Sequence, residues 1–217
     1  VSFFFVLSGF ILTYVYPSLE TPPEVKKFWR ARLARIWPAY VASFALGFLL
    51  IPYAWDTRTA IANLLMVQSW VPFSSYYFSY NAVSWSVSTE AFFYLVFPAL
   101  LYKWSQTWRI KLLLSGAALI ALLAMTNALG LPNYGNPAVG SDGLMVTQHG
   151  LIYINPISRM FEFVLGMAVA VLWRRRNRSI PLAWASAWES GAIVLCALSM
   201  TFSNDIAQWA RAAGLGG

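Results

Sequence analysis

Glu90 is the residue whose type and setting most directly suggest chemistry. It stands in Ser84-Trp85-Ser86-Val87-Ser88-Thr89-Glu90-Ala91-Phe92-Phe93-Tyr94, inside an apolar run that reads as a helix over Ala82–Tyr102. Eight residues into that run, at 1.5 Å per residue, places it roughly 12 Å deep. A carboxyl group at such depth is costly to bury and marks a functional site by default. Ser86 lies at i−4 and Tyr94 at i+4, so two hydroxyls flank Glu90 on one helix face and could line a polar cleft for an acceptor substrate. A structural carboxylate paired with an arginine of a neighbouring helix is the rival explanation.

Other charged residues are spaced for a purpose as well. Arg32 and Arg35, in Phe28-Trp29-Arg30-Ala31-Arg32-Leu33-Ala34-Arg35-Ile36-Trp37-Pro38, are three apart and share a helix face. Two guanidiniums there make a fork for phosphate. A plain topology anchor against anionic lipid headgroups would use the same spacing. Arg159 and Glu162 are also three apart, which suits an intrahelical ion pair or places Arg159 beside Glu90 in an outward-opening cavity. The single His149 would need Ser141 and Asp142 to form a triad, but Gly140-Ser141-Asp142-Gly143 has no nucleophile-elbow pattern and reads as a turn. With one His and one Cys, no zinc site can be built from those types alone, and no intrachain disulfide can form.

The elements that must position these side chains are membrane helices. Of 217 residues, 59% are hydrophobic and only 11% charged, against roughly a quarter charged in soluble domains. Mean hydropathy is +0.58. The composition predicts an all-α polytopic transmembrane bundle with about six spanning helices: Val1–Pro17, Ile36–Trp55, Ala82–Tyr102, Leu112–Leu131, Ser158–Trp173 and Glu189–Phe202. Ala60–Val71 is apolar but too short to span and reads as re-entrant or interfacial. Tryptophans, among them Trp37, Trp55, Trp85, Trp104, Trp173 and Trp188, cluster near the span ends as an aromatic belt does.

The net charge of +7 is confined in the same way. Basic residues gather in Lys26–Arg35, Lys103–Lys111 and Arg174–Arg178, separated by apolar stretches. This is the positive-inside layout and argues against a nucleic-acid partner. All three collars can then face the cytoplasm, with the segments around Tyr76 and His149 outside. The chain enters from outside at Val1, which implies an earlier span. Residues 1–217 are accordingly expected to form one integral-membrane domain, cut from a longer chain at both ends.

Taken in order, four segments resemble the membrane acyltransferase-3 family, which acylates sugars of cell-envelope polysaccharides. Phe4-Phe5-Val6-Leu7-Ser8-Gly9-Phe10-Ile11-Leu12 is similar to its second-helix signature, and Arg32-x-x-Arg35-Ile36-x-Pro38 to its RxxR motif. Ser84-Trp85-Ser86-Val87-Ser88-Thr89-Glu90-x-x-Phe93-Tyr94-Leu95-Val96-Phe97-Pro98 resembles its WSL-x-x-E-x-x-FY segment, and Arg159-x-x-Glu162-Phe163-x-x-Gly166 a later recurring stretch. A second acidic residue that often follows the family's glutamate is replaced here by Ala91. The family's first-helix Arg and catalytic His would precede Val1, so His149 does not inherit that role.

The resemblance implies an acyltransferase of a bacterial inner membrane. It would move an acyl group, acetyl by family habit, from cytoplasmic acyl-CoA to a hydroxyl of an extracytoplasmic glycan or glycolipid. Arg32 and Arg35 would dock the donor's phosphates, while Glu90, Ser86, Tyr94 and Trp85 would orient the acceptor or the histidine base. Arg159 would offset developing oxyanion charge. No metal is implied. A transporter would instead use Glu90 and Arg159 as a midplane relay for an ion or a lipid-linked sugar. A scaffold subunit would need neither charge.

Overall fold

A computed structural model describes residues 1–50, 56–132 and 145–175, together with 186, 190–192, 194, 195, 198 and 201. Residues Val1–Trp173 form one compact unit and Arg174–Gly217 a second. The described residues of the second unit are helical.

The first unit is built from helices. They are α1 (Ser2–Val15), α2 (Pro22–Leu50), α3 (Thr57–Leu64), α4 (Ser74–Tyr77), α5 (Trp85–Leu101), α6 (Trp104–Ala128) and α7 (Pro156–Arg175). A 3-10 turn at Gln68–Trp70 and a π-helical turn at His149–Ile154 complete the described elements.

Three stretches are long and apolar enough to cross a membrane: α2, α6 and the run His149–Arg175. The chain is an integral membrane protein. Helices α1 and α5 are apolar but have 14 and 17 residues, about 21 and 25 Å of helix, short of the roughly 30 Å hydrocarbon core. The expected boundaries shift for identifiable reasons. Helix α2 begins at Pro22, not Ile36, because the basic collar is itself helical: Pro22 opens the helix, and the Glu24 carboxylate accepts from the Glu20 and Thr21 amides at 3.0 and 3.1 Å. Helix α6 begins at Trp104 because Lys103 adopts a left-handed conformation (φ 48°) that turns the chain straight out of α5. Lys111 reaches back to the carbonyls of Leu100 and Tyr102, at 2.8 and 2.6 Å, and closes the C-terminal end of α5. Half of the expected span Glu189–Phe202 lies outside the described residues, as do Trp55 and Trp188.

Ala60–Val71 resolves into α3 and the 3-10 turn. Eight residues of helix reach only about 12 Å, too little to span. The segment folds against α2 and α5 through a buried polar network. Gln68 Nε2 donates to Tyr40 Oη (2.8 Å), Tyr40 Oη to the Asn63 carbonyl (2.8 Å), and Ser88 Oγ to the Met66 carbonyl (2.6 Å). Asp56 caps α3 by accepting from the Thr59 amide at 2.9 Å.

Helix α5 sits at the centre. Its buried residues include Trp85, Ser88, Thr89, Glu90, Phe93, Tyr94, Phe97 and Leu101, which wrap most of the helix. The core is aromatic: Phe93 stacks on Phe163 of α7 at 4.7 Å, meets Phe5 of α1 edge-on at 5.2 Å, and Phe97 meets Phe28 of α2 at 5.2 Å. Helices α1 and α7 run in the same direction, Ser2 lying beside Arg159 and Gly9 beside Phe163. They approach backbone to backbone. A Cβ at Gly9 would overlap the Phe163 carbonyl, and one at Gly166 the Val6 carbonyl. Small residues at such a crossing are how membrane helices gain close packing without a hydrophobic driving force between them.

Candidate active site

Pro98, in the interior of α5, sets the geometry of the site. Proline has no N–H to donate, so the carbonyl four residues back, that of Tyr94, loses its helical partner. The indole Nε1 of Trp29 supplies the missing donor at 3.1 Å. This bond draws α2 onto α5 at the level of Tyr94. One turn further along α2, Arg32 then comes to lie 5.9 Å from the Tyr94 ring centre.

Around this crossing lies a cavity of about 190 Å³. Its polar wall is Ser8, Arg32, Arg35, Glu90 and Tyr94, and its apolar wall includes Leu7, Ile11 and Ile36. Glu90 is 7% exposed. Its Oε1 accepts from Tyr94 Oη at 2.5 Å and from Ser8 Oγ at 3.3 Å. Neither guanidinium is within ion-pair distance of the carboxylate; the ion pair among the described residues is Arg159–Glu162. Arg32 and Arg35 line the same cavity as Glu90. The sequence places Glu90 deeper than the structure does, since Ala82–Ser84 belong to the preceding turn and α5 starts at Trp85.

The residues expected to share one cleft divide between two levels of α1. Arg159 does not join Glu90. Its Nε donates to the Tyr153 carbonyl (2.7 Å), and its Nη1 donates to Ser2 Oγ (3.2 Å) and to Glu162 Oε1 (2.5 Å). Glu90 is tied to Ser8 and Arg159 to Ser2, six residues or about 9 Å apart along α1. Between them sits Phe5, fully buried against Phe93 and Trp85. Trp85 belongs to the Arg159 level, with its ring 5.2 Å from that of Tyr153. Tyr153 in turn stacks on His149 at 4.9 Å and carries the Arg159 guanidinium 4.2 Å from its ring centre. Ser86 donates its hydroxyl to the Val83 carbonyl, 3.0 Å away in the turn before α5, and does not line the cavity. Tyr94 is the one of the two expected hydroxyls that reaches Glu90.

Sequence spacing missed Ser8 and Tyr16. Ser8 is a hydroxyl in the middle of an apolar helix, which is a usable signal, but its partner is 82 residues away. Tyr16 Oη accepts from Arg32 Nη2 at 3.0 Å, from the turn just after α1. Ser141 and Asp142, considered with His149 as a triad, lie outside the described residues. Among the described residues, no group of three or more His, Cys, Asp or Glu side chains comes together as a metal site.

A cavity between α1, α2 and α5, lined by a carboxylate and two guanidiniums, gives this integral membrane protein a built polar site. The chain belongs to the acyltransferase-3 family: a family model described as an acyltransferase domain matches residues 1–214. It is 30% identical to the acyltransferase MdmB of Streptomyces mycarofaciens, over 96% of this chain and 52% of the relative. It is 28% identical to the exopolysaccharide production protein ExoZ of Rhizobium meliloti, over 86% of this chain and 54% of the relative. It is 26% identical to the putative peptidoglycan O-acetyltransferase YrhL of Bacillus subtilis, over 82% of this chain and 29% of the relative. The chain thus spans about half the length, or less, of these curated relatives. No solved structure matches it.

Proposed function

We propose that the protein to which this domain belongs transfers an acyl group, most simply acetyl, from cytoplasmic acyl-CoA to a hydroxyl of an extracytoplasmic glycan or glycolipid at a bacterial inner membrane. The observation that carries this is the shared cavity, where Glu90 faces the two arginines of the basic α2 collar. A hydroxyl-orienting carboxylate and an anion-binding pair within one small space is what transfer between a phosphate-bearing donor and a sugar requires. The names of YrhL and ExoZ support a glycan acceptor.

The cavity is far too small for a nucleotide, so only the acyl-thioester end of the donor enters it. The phosphates remain at the basic mouth, near Arg35. The acceptor approaches from the level of Trp85 and Arg159, which act as its outer contacts. Arg159 is hydrogen-bonded a level above the carboxylate, so its place is with the acceptor and not with the oxyanion. In the transfer step the acceptor oxygen forms a new C–O bond as the thioester C–S bond breaks. The hydroxyl proton passes to the general base, and the sulfur leaves to be protonated. Glu90, held by Tyr94 and Ser8, orients the acceptor hydroxyl or the histidine base that the family resemblance implies. Charge placement supports the sidedness, because the basic collars define the cytoplasmic face.

The test is vectorial. Inverted and right-side-out vesicles carrying the full-length protein receive labelled acetyl-CoA outside, with peptidoglycan or exopolysaccharide fragments in the opposite compartment. Label reaches glycan only in inverted vesicles if the proposal holds. Equal labelling in both orientations, or uptake of sugar without acylation, overturns it.

A further inference from the structure

The two arginines of α2 sit in different environments. Arg32 is enclosed by three rings, with its guanidinium carbon 5.3 Å from the centre of Tyr16, 5.6 Å from Phe28 and 5.9 Å from Tyr94, all within cation–π range. Its Nη2 is spent on Tyr16 Oη, and its Nε is buried without a partner. A guanidinium grips phosphate through two neighbouring N–H groups acting as a fork. With Nη2 bonded to Tyr16 and Nε inaccessible, the Nε–Nη2 fork of Arg32 is closed to a phosphate. Arg35, one turn on, lines the same cavity and is exposed, with no ion pair among the described residues.

Arg32 is instead well placed to hold Tyr94. The Tyr94 ring lies beside the guanidinium, and its hydroxyl donates to Glu90 Oε1. Trp29 and Arg32 of α2 hold Tyr94 from the backbone and from the ring. Tyr16 anchors the far side of this assembly from the end of α1.

We infer that the pair divides its labour: Arg35 binds the anionic part of the acyl donor, whereas Arg32, locked by Tyr16, is a positioning residue that sets Tyr94 and through it the Glu90 carboxylate. The inference rests on the acyl-CoA reading above and adds Tyr16 and Arg32 as its positioning device. An equivalent role for both arginines in phosphate binding is the alternative it excludes.

The experiment uses the full-length protein in lipid nanodiscs, with coenzyme A as the binding probe and acetyl-CoA transfer to a peptidoglycan fragment as the kinetic assay. Arg35→Ala is expected to weaken coenzyme A binding and raise the KM for acetyl-CoA about tenfold, with kcat within about twofold of wild type, as expected for the loss of a charge-assisted phosphate contact. Tyr16→Phe keeps the ring and removes only the hydrogen bond. It is expected to leave coenzyme A binding unchanged and lower kcat about fivefold, with Tyr16→Leu lowering it further. Arg32→Lys, which keeps a cation among the rings, is expected to retain more kcat than Arg32→Ala. The inference is overturned if Tyr16→Phe matches wild type, or if Arg32→Ala raises KM and weakens coenzyme A binding as Arg35→Ala does. A wild type that binds no coenzyme A and transfers nothing overturns the acyl-CoA reading itself, which separates the two failures.

Discussion

The bond from the Trp29 indole to the Tyr94 carbonyl exists because Pro98 cannot donate to that carbonyl, and this makes the pair testable as a cycle. Trp29→Phe keeps an aromatic ring and removes the donor. The Tyr94 carbonyl, at a buried position of α5, is then left without a hydrogen bond, at a cost of about 1.5 kcal/mol. For a domain of this size that corresponds to a fall in Tm of about 3–6 °C. In a Pro98→Ala background the alanine N–H restores the intrahelical bond to Tyr94, so the same Trp29→Phe change should cost little. The two substitutions should therefore couple by about 1 kcal/mol or more. Thermal unfolding of the four proteins in one detergent, followed by intrinsic fluorescence and retained solubility, measures the cycle. Strict additivity, with Trp29→Phe equally harmful in both backgrounds, would refute the claim that proline 98 creates the α2 docking point.

Two further outcomes follow from packing and charge. Gly9→Ala and Gly166→Ala each drive a Cβ into a backbone carbonyl that no rotamer change can move, so each should destabilise by about 1–3 kcal/mol. Gly116→Ala meets only the Phe161 ring, at 3.4 Å, and should be neutral or slightly stabilising in the same thermal assay. The Thr59 amide bond holds the Asp56 carboxyl below the usual carboxylate range. A depressed folded-state pKa means that this contribution is fully present above the unfolded value, near 3.9, and is lost as pH falls through the folded value. Amide protection factors in α3 should accordingly drop on acidification below about pH 4 in wild type and remain flat in Asp56→Asn.

Much of this architecture was legible in the sequence because the bilayer imposes simple rules. Apolar runs and basic collars located α2, α6 and α7, and the shortness of Ala60–Val71 foretold a segment that does not cross. Helix starts were less legible. A charged amphipathic stretch such as Lys26–Arg35 lowers mean hydropathy without interrupting the helix, so hydropathy begins α2 too late. At the site, local spacing succeeded where partners are one turn apart, as for Glu90 with Tyr94 and Arg159 with Glu162. It failed where the decision is tertiary. Ser86 has the right spacing to Glu90, but it sits in the first turn of α5 and bonds the nearby Val83 carbonyl. Arg159 enters from the same end as Glu90, yet the Phe5 ring holds the two levels apart. Ser8 and Tyr16 carry no periodic signal toward their partners, because only the crossing of α1 with α2 and α5 brings them together.

The central claim is that Glu90 and the α2 arginines form one acyl-transfer site. The most direct measurement is transfer of label from acetyl-CoA to glycan by full-length wild type and Glu90→Gln, with membrane insertion and Tm checked for both. Glutamine keeps the shape and an acceptor oxygen for Tyr94 while removing the charge. The account predicts a variant that inserts and folds normally, binds coenzyme A with unchanged affinity, and loses at least about a hundredfold in transfer rate. Transfer by Glu90→Gln at the wild-type rate would contradict it.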